Sequence, residues 1–243
     1  MSASVVLYAD PFWISPYVFS SFVALREKNI EFDVVTIDLG KGEHRREPFR
    51  SASLTARVPA LDDHGFWLSE SNAIAEYLEE SYPPPEHRRL FPADPRQRAR
   101  ARQLMAFLRS DLGALREERS SEMVFYETAG QLFSEHETSR PPLSEAAQRA
   151  AAKLIEVAEQ LIPAGAETAF DDWSVADADL ALALLRLARD PQAGEKAGEK
   201  AGEKAGARDA SLLPSRLRAY AALQWARPSV RAYVEHPRAP FVP

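Results

Sequence analysis

The segment that decides the fold is RVPALDDHGFWLSES, residues 57–71. Two short apolar runs, 59–61 and 66–68, flank a turn-forming Asp-Asp-His-Gly stretch, and this pattern predicts a β-hairpin. Ser71 follows the second run, and serine is a favoured N-cap residue, so a helix is expected to begin there. That helix should end before the prolines at 83–85, because proline cannot donate a backbone hydrogen bond.

The residues before this segment add a strand, a helix and a second strand. Val5–Ala9 is an apolar run that ends in Asp-Pro, as a buried strand does. Ser15 and Pro16 suit the N-cap and first position of a helix that ends near Asn29. Residues 32–39 are rich in β-branched side chains and predict the second strand. A strand-helix-strand series forms a right-handed parallel unit, so this part of the chain is predicted to be α/β.

Beyond Pro95 the pattern is almost wholly helical, with apolar residues at three- and four-residue spacing. We therefore predict an α/β domain over residues 1–84, a linker over 85–95 and an all-α helical bundle over 96–243. The second domain contains three copies of Ala-Gly-Glu-Lys near 193–206. A helix would align like-charged glutamates there, and each glycine would cost about 1 kcal/mol. A mobile surface insertion is therefore expected, with an interaction tail as the alternative.

Composition narrows the classes of function. The 243 residues are 45% hydrophobic and 27% charged, as in an ordinary folded protein. The absence of cysteine excludes a disulfide, a thiolate metal site and a protein thiol nucleophile. The net charge of −6 disfavours nucleic-acid binding; the first 84 residues hold 7 basic and 13 acidic side chains, and the remainder 23 of each. With no metal-binding motif and no apolar run long enough to span a bilayer, no metal, no membrane and a cytoplasmic location are predicted.

Two dipeptides are candidates for binding. In Val58-Pro59 a proline opens a strand and leaves one backbone edge unpaired, where an extended peptide can bind; such X-Pro bonds are trans in most cases and cis in a minority. Glu70 and Ser71 place a carboxylate beside a helix N-terminus, which suits the ammonium and carboxylate groups of an α-amino acid. The alternative is that Ser71 only caps the helix and Glu70 is solvated.

The order of these features resembles the glutathione transferases. The resemblance rests on Ser15-Pro16, Gly42-Glu43-His44, Arg57-Val58-Pro59, Leu68-Ser69-Glu70-Ser71, Leu90-Phe91-Pro92 before an arginine-rich helix, and Trp173-Ser174-Val175-Ala176-Asp177. The last segment has the pattern of a capping box with an apolar staple. Most of the chain fits, and the pattern is similar to bacterial theta- or zeta-like members that use a serine.

The resemblance implies a thioredoxin-like first domain, an all-helical second domain and a homodimer. It also implies glutathione as a cosubstrate, with no prosthetic group. The residues that it implies for glutathione are Val58 with Pro59 at the cysteinyl part, Glu70 and Ser71 at the γ-glutamyl end, and His44 and Arg57 at the glycyl end.

Ser15 is the catalytic residue that the resemblance implies. A free thiol has a pKa of about 8.5, and a hydroxyl donor together with the positive end of a helix would favour its thiolate. The alternatives are that Ser15 only caps its helix, or that Tyr8 or Tyr17 supplies the hydroxyl. The second substrate, a small electrophile or a peroxide, would bind in a pocket lined by Phe12, Trp13, Arg109 and Arg116.

The predicted function is activation of the glutathione thiol for nucleophilic attack on a small electrophile, with peroxide reduction as a further activity of the same thiolate. The alternative is a non-catalytic protein-interaction scaffold with the same fold. The two differ in one measurable property, which is whether the thiol of bound glutathione is ionised at neutral pH.

Overall fold

A computed structural model of the chain describes residues 5–128, 141–188 and 212–238. The predicted insertion near 193–206 lies outside the described residues. Within them an α/β domain is followed by helices, as predicted.

The first domain is built on a four-stranded mixed sheet. Its strands are β1 (Val5–Ala9), β2 (Asp33–Thr36), β3 (Ala60–Asp63) and β4 (Phe66–Ser69), in the spatial order β2-β1-β3-β4. β1 pairs with β2 in parallel, which confirms the predicted strand-helix-strand unit. β3 pairs with β1 and with β4 in antiparallel fashion, which confirms the predicted hairpin. The second strand is shorter than predicted, because the chain turns at Asp38, whose amide donates to Glu43 at 2.8 Å.

Three α-helices accompany this sheet: α1 (Pro16–Glu27), the short α2 (Phe49–Ala52) and α3 (Ser71–Ser81). A 3-10 helix, Glu43–Arg45, lies between β2 and α2 and contains His44. Ser15 is the N-cap of α1 and accepts a hydrogen bond from the Val18 amide, as its position before a proline predicts.

The predicted role of Ser71 as the N-cap of α3 is wrong. Glu70 holds the N-cap position with φ of 72°, and Ser71 is the first residue of the helix. The Ser71 hydroxyl, which was predicted to cap the helix, instead accepts a hydrogen bond from Arg109 at 3.0 Å. Arg109 lies 38 residues further along the chain.

The second domain consists of helices in its described part. These are α4 (Pro95–Ser110), α5 (Gly113–Glu118), α6 (Ser121–Thr128), α7 (Glu145–Leu161), α8 (Val175–Leu185), α9 (Ser215–Trp225) and α10 (Pro228–Val234). The buried helix α8 begins with the predicted capping box, in which the Ser174 amide donates to Asp177 at 2.8 Å. The chain between Ser81 and Pro95 forms neither helix nor strand.

One hydrophobic core runs through both domains, and polar contacts of α4 also join them. Arg109 on α4 donates to Ser71 on α3 at 3.0 Å and to Ser20 on α1 at 3.3 Å, and pairs with Asp179 on α8 at 2.9 Å. The site described next therefore lies on elements that are held against each other. Among the described residues, no helix has the length and apolar character needed to cross a membrane.

Candidate active site

The loop between β1 and α1 is organised by one buried carboxylate. Asp10 accepts hydrogen bonds from the backbone amides of Phe12, Ile14 and Ser15, at 3.1, 3.0 and 3.1 Å. These three bonds hold the loop against the end of β1. Sequence reasoning treated Asp10 only as a turn residue, although an aspartate directly after a buried strand was the available signal.

Ser15 presents its hydroxyl at the start of α1. Its Oγ accepts from the Val18 amide at 3.3 Å, so the hydroxyl proton is not used by this bond. A hydroxyl held in this way can donate its proton to an anion beside it, and the first amides of a helix add partial positive charge. The geometry is thus suited to stabilising a thiolate.

A cleft of about 960 Å³ opens beside Ser15. It brings together four of the predicted site residues, which come from separate parts of the first domain: Ser15, His44, Arg57 and Val58. The Val58-Pro59 peptide bond is cis, and Pro59, also a predicted site residue, is buried and does not line the cleft. The amide and carbonyl of Val58 make no hydrogen bond within the described chain, so they are available to an extended ligand.

Two further polar atoms in this cleft are buried and have no partner in the described chain. They are the His44 Nδ1 and the Thr55 Oγ1. A buried polar atom without a hydrogen bond costs free energy, and native proteins leave few of them. Both residues line the cleft, and a turn of either side chain would bring its unpaired atom to a polar ligand there.

Glu70 and Ser71 do not line this cleft. Glu70 is exposed, whereas Ser71 is buried and its hydroxyl accepts from Arg109. Because the helix begins at Ser71, the amides of its first turn have no helical carbonyl partner.

The two rival hydroxyls differ in their positions. Tyr8 packs on Trp67 and Phe49 at centroid distances of 4.6 and 5.4 Å and does not line the cleft. Burial, and then the charge of Asp62, raises the pKa of the Tyr8 phenol. Tyr17 does line the cleft and is the stronger rival to Ser15.

The residues predicted to bind a second substrate lie at three different locations in the structure. Phe12 is exposed and lines the cleft. Trp13 was predicted wrongly, because it is buried and its ring stacks on His236 at 3.5 Å. Arg109 and Arg116 line a smaller cavity of about 40 Å³ between α1, α4, α5 and α8.

This smaller cavity, which we call the arginine pocket, is lined by Arg109, Arg116, Arg186, Asp179, Tyr17, Pro16 and four apolar residues. It shares Pro16 and Tyr17 with the cleft. Burial, and then the charge of Arg116, lowers the pKa of Arg186 to about 10. The pocket thus combines three guanidinium groups with one carboxylate. Sequence reasoning missed Arg186, which lies in an apolar run and carried no motif.

In the part of the chain that the structure describes, no cluster of histidine, aspartate or glutamate side chains could hold a metal ion.

Comparison with known proteins identifies the family. Residues 14–81 match the model of the glutathione S-transferase N-terminal domain, and residues 94–201 match that of the C-terminal domain. A glutathione transferase homologue from Burkholderia gl BGR1, solved with bound glutathione, is 34% identical with a TM-score of 0.68, over 95% of this chain and 96% of that one. The chain belongs to the glutathione transferase family.

Curated relatives are similar over shorter stretches. A maleylpyruvate isomerase from Ralstonia sp is 38% identical over 101 residues, which are 42% of this chain and 46% of that protein. Glutathione S-transferase theta-1 of Rattus norvegicus is 36% identical over 91 residues, 37% of each protein. The chain thus aligns with less than half the length of these relatives.

Proposed function

We propose that this protein is a glutathione transferase that binds glutathione in the cleft and ionises its thiol with Ser15. The observation that carries the proposal is the Ser15 hydroxyl at the cleft, whose oxygen is held by the Val18 amide while its proton stays available. The glutathione bound to the 34% identical Burkholderia homologue supports the choice of ligand.

Each part of the tripeptide is assigned to a group of this chain. The unpaired Val58 backbone binds the cysteinyl residue, beside the buried Pro59. His44 and Arg57, which line the cleft, hold the glycyl carboxylate. The first-turn amides at Ser71 hold the γ-glutamyl carboxylate, and Glu70 binds its ammonium group.

The chemistry needs no group beyond these. The thiol proton leaves to solvent, and Ser15 donates a hydrogen bond to the resulting thiolate. The sulfur lone pair then forms a carbon–sulfur bond with the electrophile, and the displaced electron pair leaves with the leaving group or takes up a proton. With a peroxide, two glutathione molecules would be oxidised to the disulfide while the oxygen–oxygen bond is reduced to an alcohol and water.

Ultraviolet titration of the bound thiol tests the proposal. In the wild-type protein the pKa of the bound thiol should lie well below its free value, and Ser15→Ala should return it toward about 8.5. Ser144→Ala is the control, because Ser144 likewise accepts from a backbone amide, at 3.2 Å, as the N-cap of α7 and does not line the cleft; its hydroxyl also donates to Glu118. Both variants should lose about 1 kcal/mol of stability, and only Ser15→Ala should change the pKa of the bound thiol.

Two results would overturn this assignment. An unshifted thiol in the wild-type complex would favour the non-catalytic scaffold. If the pKa of the bound thiol stays lowered in Ser15→Ala but returns to its free value in Tyr17→Phe or Tyr8→Phe, that tyrosine is the residue that stabilises the thiolate.

The arginine pocket favours a second, narrower function, which is conversion of an electrophile that carries a carboxylate. Guanidinium groups bind carboxylates through paired hydrogen bonds, and Arg116 has no hydrogen-bond partner for its Nε or Nη2 in the described chain. The similar Ralstonia protein is named a maleylpyruvate isomerase, so a glutathione-dependent isomerase of an anionic substrate is the specific form of this proposal.

Family membership also supports a homodimer and a cytoplasmic location as proposals. The first domain exposes Leu54 almost fully, at 96%, and Phe66 at 50%, and contact with a second copy would remove this apolar surface from water. Sedimentation of the purified chain as a monomer at micromolar concentration would contradict the dimer.

A further inference from the structure

We propose that Arg238, near the end of the described chain, is a positioning residue that holds the Ser15 loop in its active conformation. This inference rests on the proposed function of Ser15. Arg238 contacts neither the cleft nor the arginine pocket, and it acts through the backbone of Trp13.

Arg238 joins the end of the second domain to the loop of the first. Its Nε and Nη2 donate to the Trp13 carbonyl at 3.2 and 3.1 Å. Its other donors bind the carbonyls of Tyr233, Val234 and His236, at 2.9, 2.6 and 3.0 Å, at the end of α10. One guanidinium thus bridges the end of α10 to a residue two positions before Ser15.

The burial of Arg238 makes this contact specific. The residue is 7% exposed, and among the described residues no carboxylate pairs with it. Its planar group lies over the rings of Phe125 and Tyr233, at 5.4 and 5.6 Å. Burying a cation is costly unless its donors are hydrogen-bonded, and here the guanidinium donates to four backbone carbonyls.

Trp13 is a residue that needs such support. Its φ of 55° lies in the left-handed region, which costs a non-glycine residue about 1 kcal/mol or more. Its ring stacks on His236, next to the segment that supplies Arg238. The same C-terminal segment therefore holds both the side chain and the carbonyl of Trp13.

The next two carbonyls of the loop are also held by the second domain. Ser121 on α6 donates to the Ile14 carbonyl at 2.9 Å, and the Tyr233 hydroxyl donates to the Ser15 carbonyl at 3.3 Å. Asp10 holds the loop amides from the first domain, as described above. Arg238 completes this arrangement, because it binds the carbonyl of Trp13, the residue with the strained backbone.

The first test is independent of glutathione. Hydrogen exchange of the ligand-free protein should show faster exchange in the peptide covering residues 10–19 of Arg238→Gln, by about fivefold or more. The matched control is Arg231→Gln, which removes an arginine of α10 whose contact is an exposed pair with Glu235. It should leave exchange in the loop unchanged.

The second test measures the consequence for the thiol. Arg238→Gln should raise the pKa of the bound glutathione thiol and lower kcat/KM about tenfold near neutral pH. The KM for glutathione should stay within about twofold of the wild-type value. Arg238→Lys keeps a charge and a donor for the Trp13 carbonyl, so it should recover part of both properties.

Two results would overturn the proposal. One is loop exchange in Arg238→Gln equal to that in Arg231→Gln. The other is a uniform rise in exchange over the whole chain, which would make Arg238 a general stabilising residue. If the wild-type thiol is not shifted, the proposed function fails, and the exchange measurement still decides whether Arg238 holds the loop.

Discussion

Asp10 shows how much of the candidate site depends on a single side chain. Its carboxylate accepts three amides within six residues, and the third of them belongs to Ser15. The three donors are backbone N–H groups, so the carboxylate is the acceptor in each of these bonds. The position of the serine hydroxyl is therefore coupled to a carboxylate five residues before it, at the edge of the same cleft.

Asp10→Asn should destabilise the protein and weaken thiol activation. Asparagine offers one acceptor oxygen, and its NH₂ group would face a backbone amide that also donates, so at least one buried bond is lost. We expect a loss of roughly 2 kcal/mol in the free energy of unfolding in urea. Asp172→Asn is the control, because Asp172 is exposed and has no hydrogen bond in the described chain. Equal stability of the two variants would contradict the role of Asp10.

At the scale of elements, the end of α1 is joined to α10 by a charged contact. Glu27, the last residue of α1, accepts from Arg227 Nε and Nη2 at 2.6 and 2.7 Å and from the hydroxyl of Ser229. Burial alone would raise the pKa of Glu27. The hydrogen bonds from Arg227 and Ser229, with the charges of Arg227 and Arg88, outweigh it, so the pKa lies below its ordinary value. The helix that carries Ser15 is thus tied at its far end to the helix before Arg238.

This contact predicts a pH dependence of stability. A carboxyl group whose pKa is lower in the folded state stabilises the protein above its unfolded pKa, about 4.3, and this contribution is lost as the pH falls through the folded value. Glu27→Gln should therefore lower stability at pH 7 and make it less dependent on pH below about 5.

Urea unfolding at several pH values measures this effect. Glu235→Gln is the control, because Glu235 forms an exposed pair with Arg231. An unchanged pH profile in Glu27→Gln would show that the α1–α10 contact does not contribute to acid unfolding.

At the scale of the whole molecule, the two domains together form the arginine pocket. Pro16 and Tyr17 come from the first domain, and the arginines come from the second. Arg109 adds polar contacts at this interface, because it binds Ser20 and Ser71 of the first domain and Asp179 of the second. The proposed substrate preference would therefore be a property of the domain interface, whereas the proposed thiol chemistry depends on the loop before α1.

Arg116→Gln tests the preference for an anionic substrate. Two electrophiles with the same reacting group, one with a carboxylate and one without, are compared by kcat/KM. We expect kcat/KM to fall about tenfold for the electrophile that carries the carboxylate and less than about twofold for the neutral electrophile. Arg149→Gln, on the exposed face of α7, should affect neither. Equal losses for both compounds would show that the pocket does not select for charge.

Local sequence rules correctly predicted the features that depend on near neighbours. The hairpin of residues 60–69 follows from a turn between two apolar runs, the start of α1 from Ser15 and Pro16, and the start of α8 from its capping box. Each of these depends on residues a few positions apart. The same rules failed at Ser71, whose hydroxyl binds Arg109, and at Trp13, whose ring packs on a residue more than 200 positions away.

The amino-acid sequence by itself determined the order of the four strands with α1 and α3, the helical character of the second domain and the family resemblance, because periodicity, caps and turns are read over a few residues. It did not predict the short helix α2. Only the tertiary structure decided that Asp10 and Arg238 both hold the loop of Ser15 and that Arg186 joins Arg109 and Arg116 in one pocket. Such contacts join positions far apart in the chain. Their partners are chosen by burial and by the need to satisfy buried polar groups, and local sequence does not encode that choice.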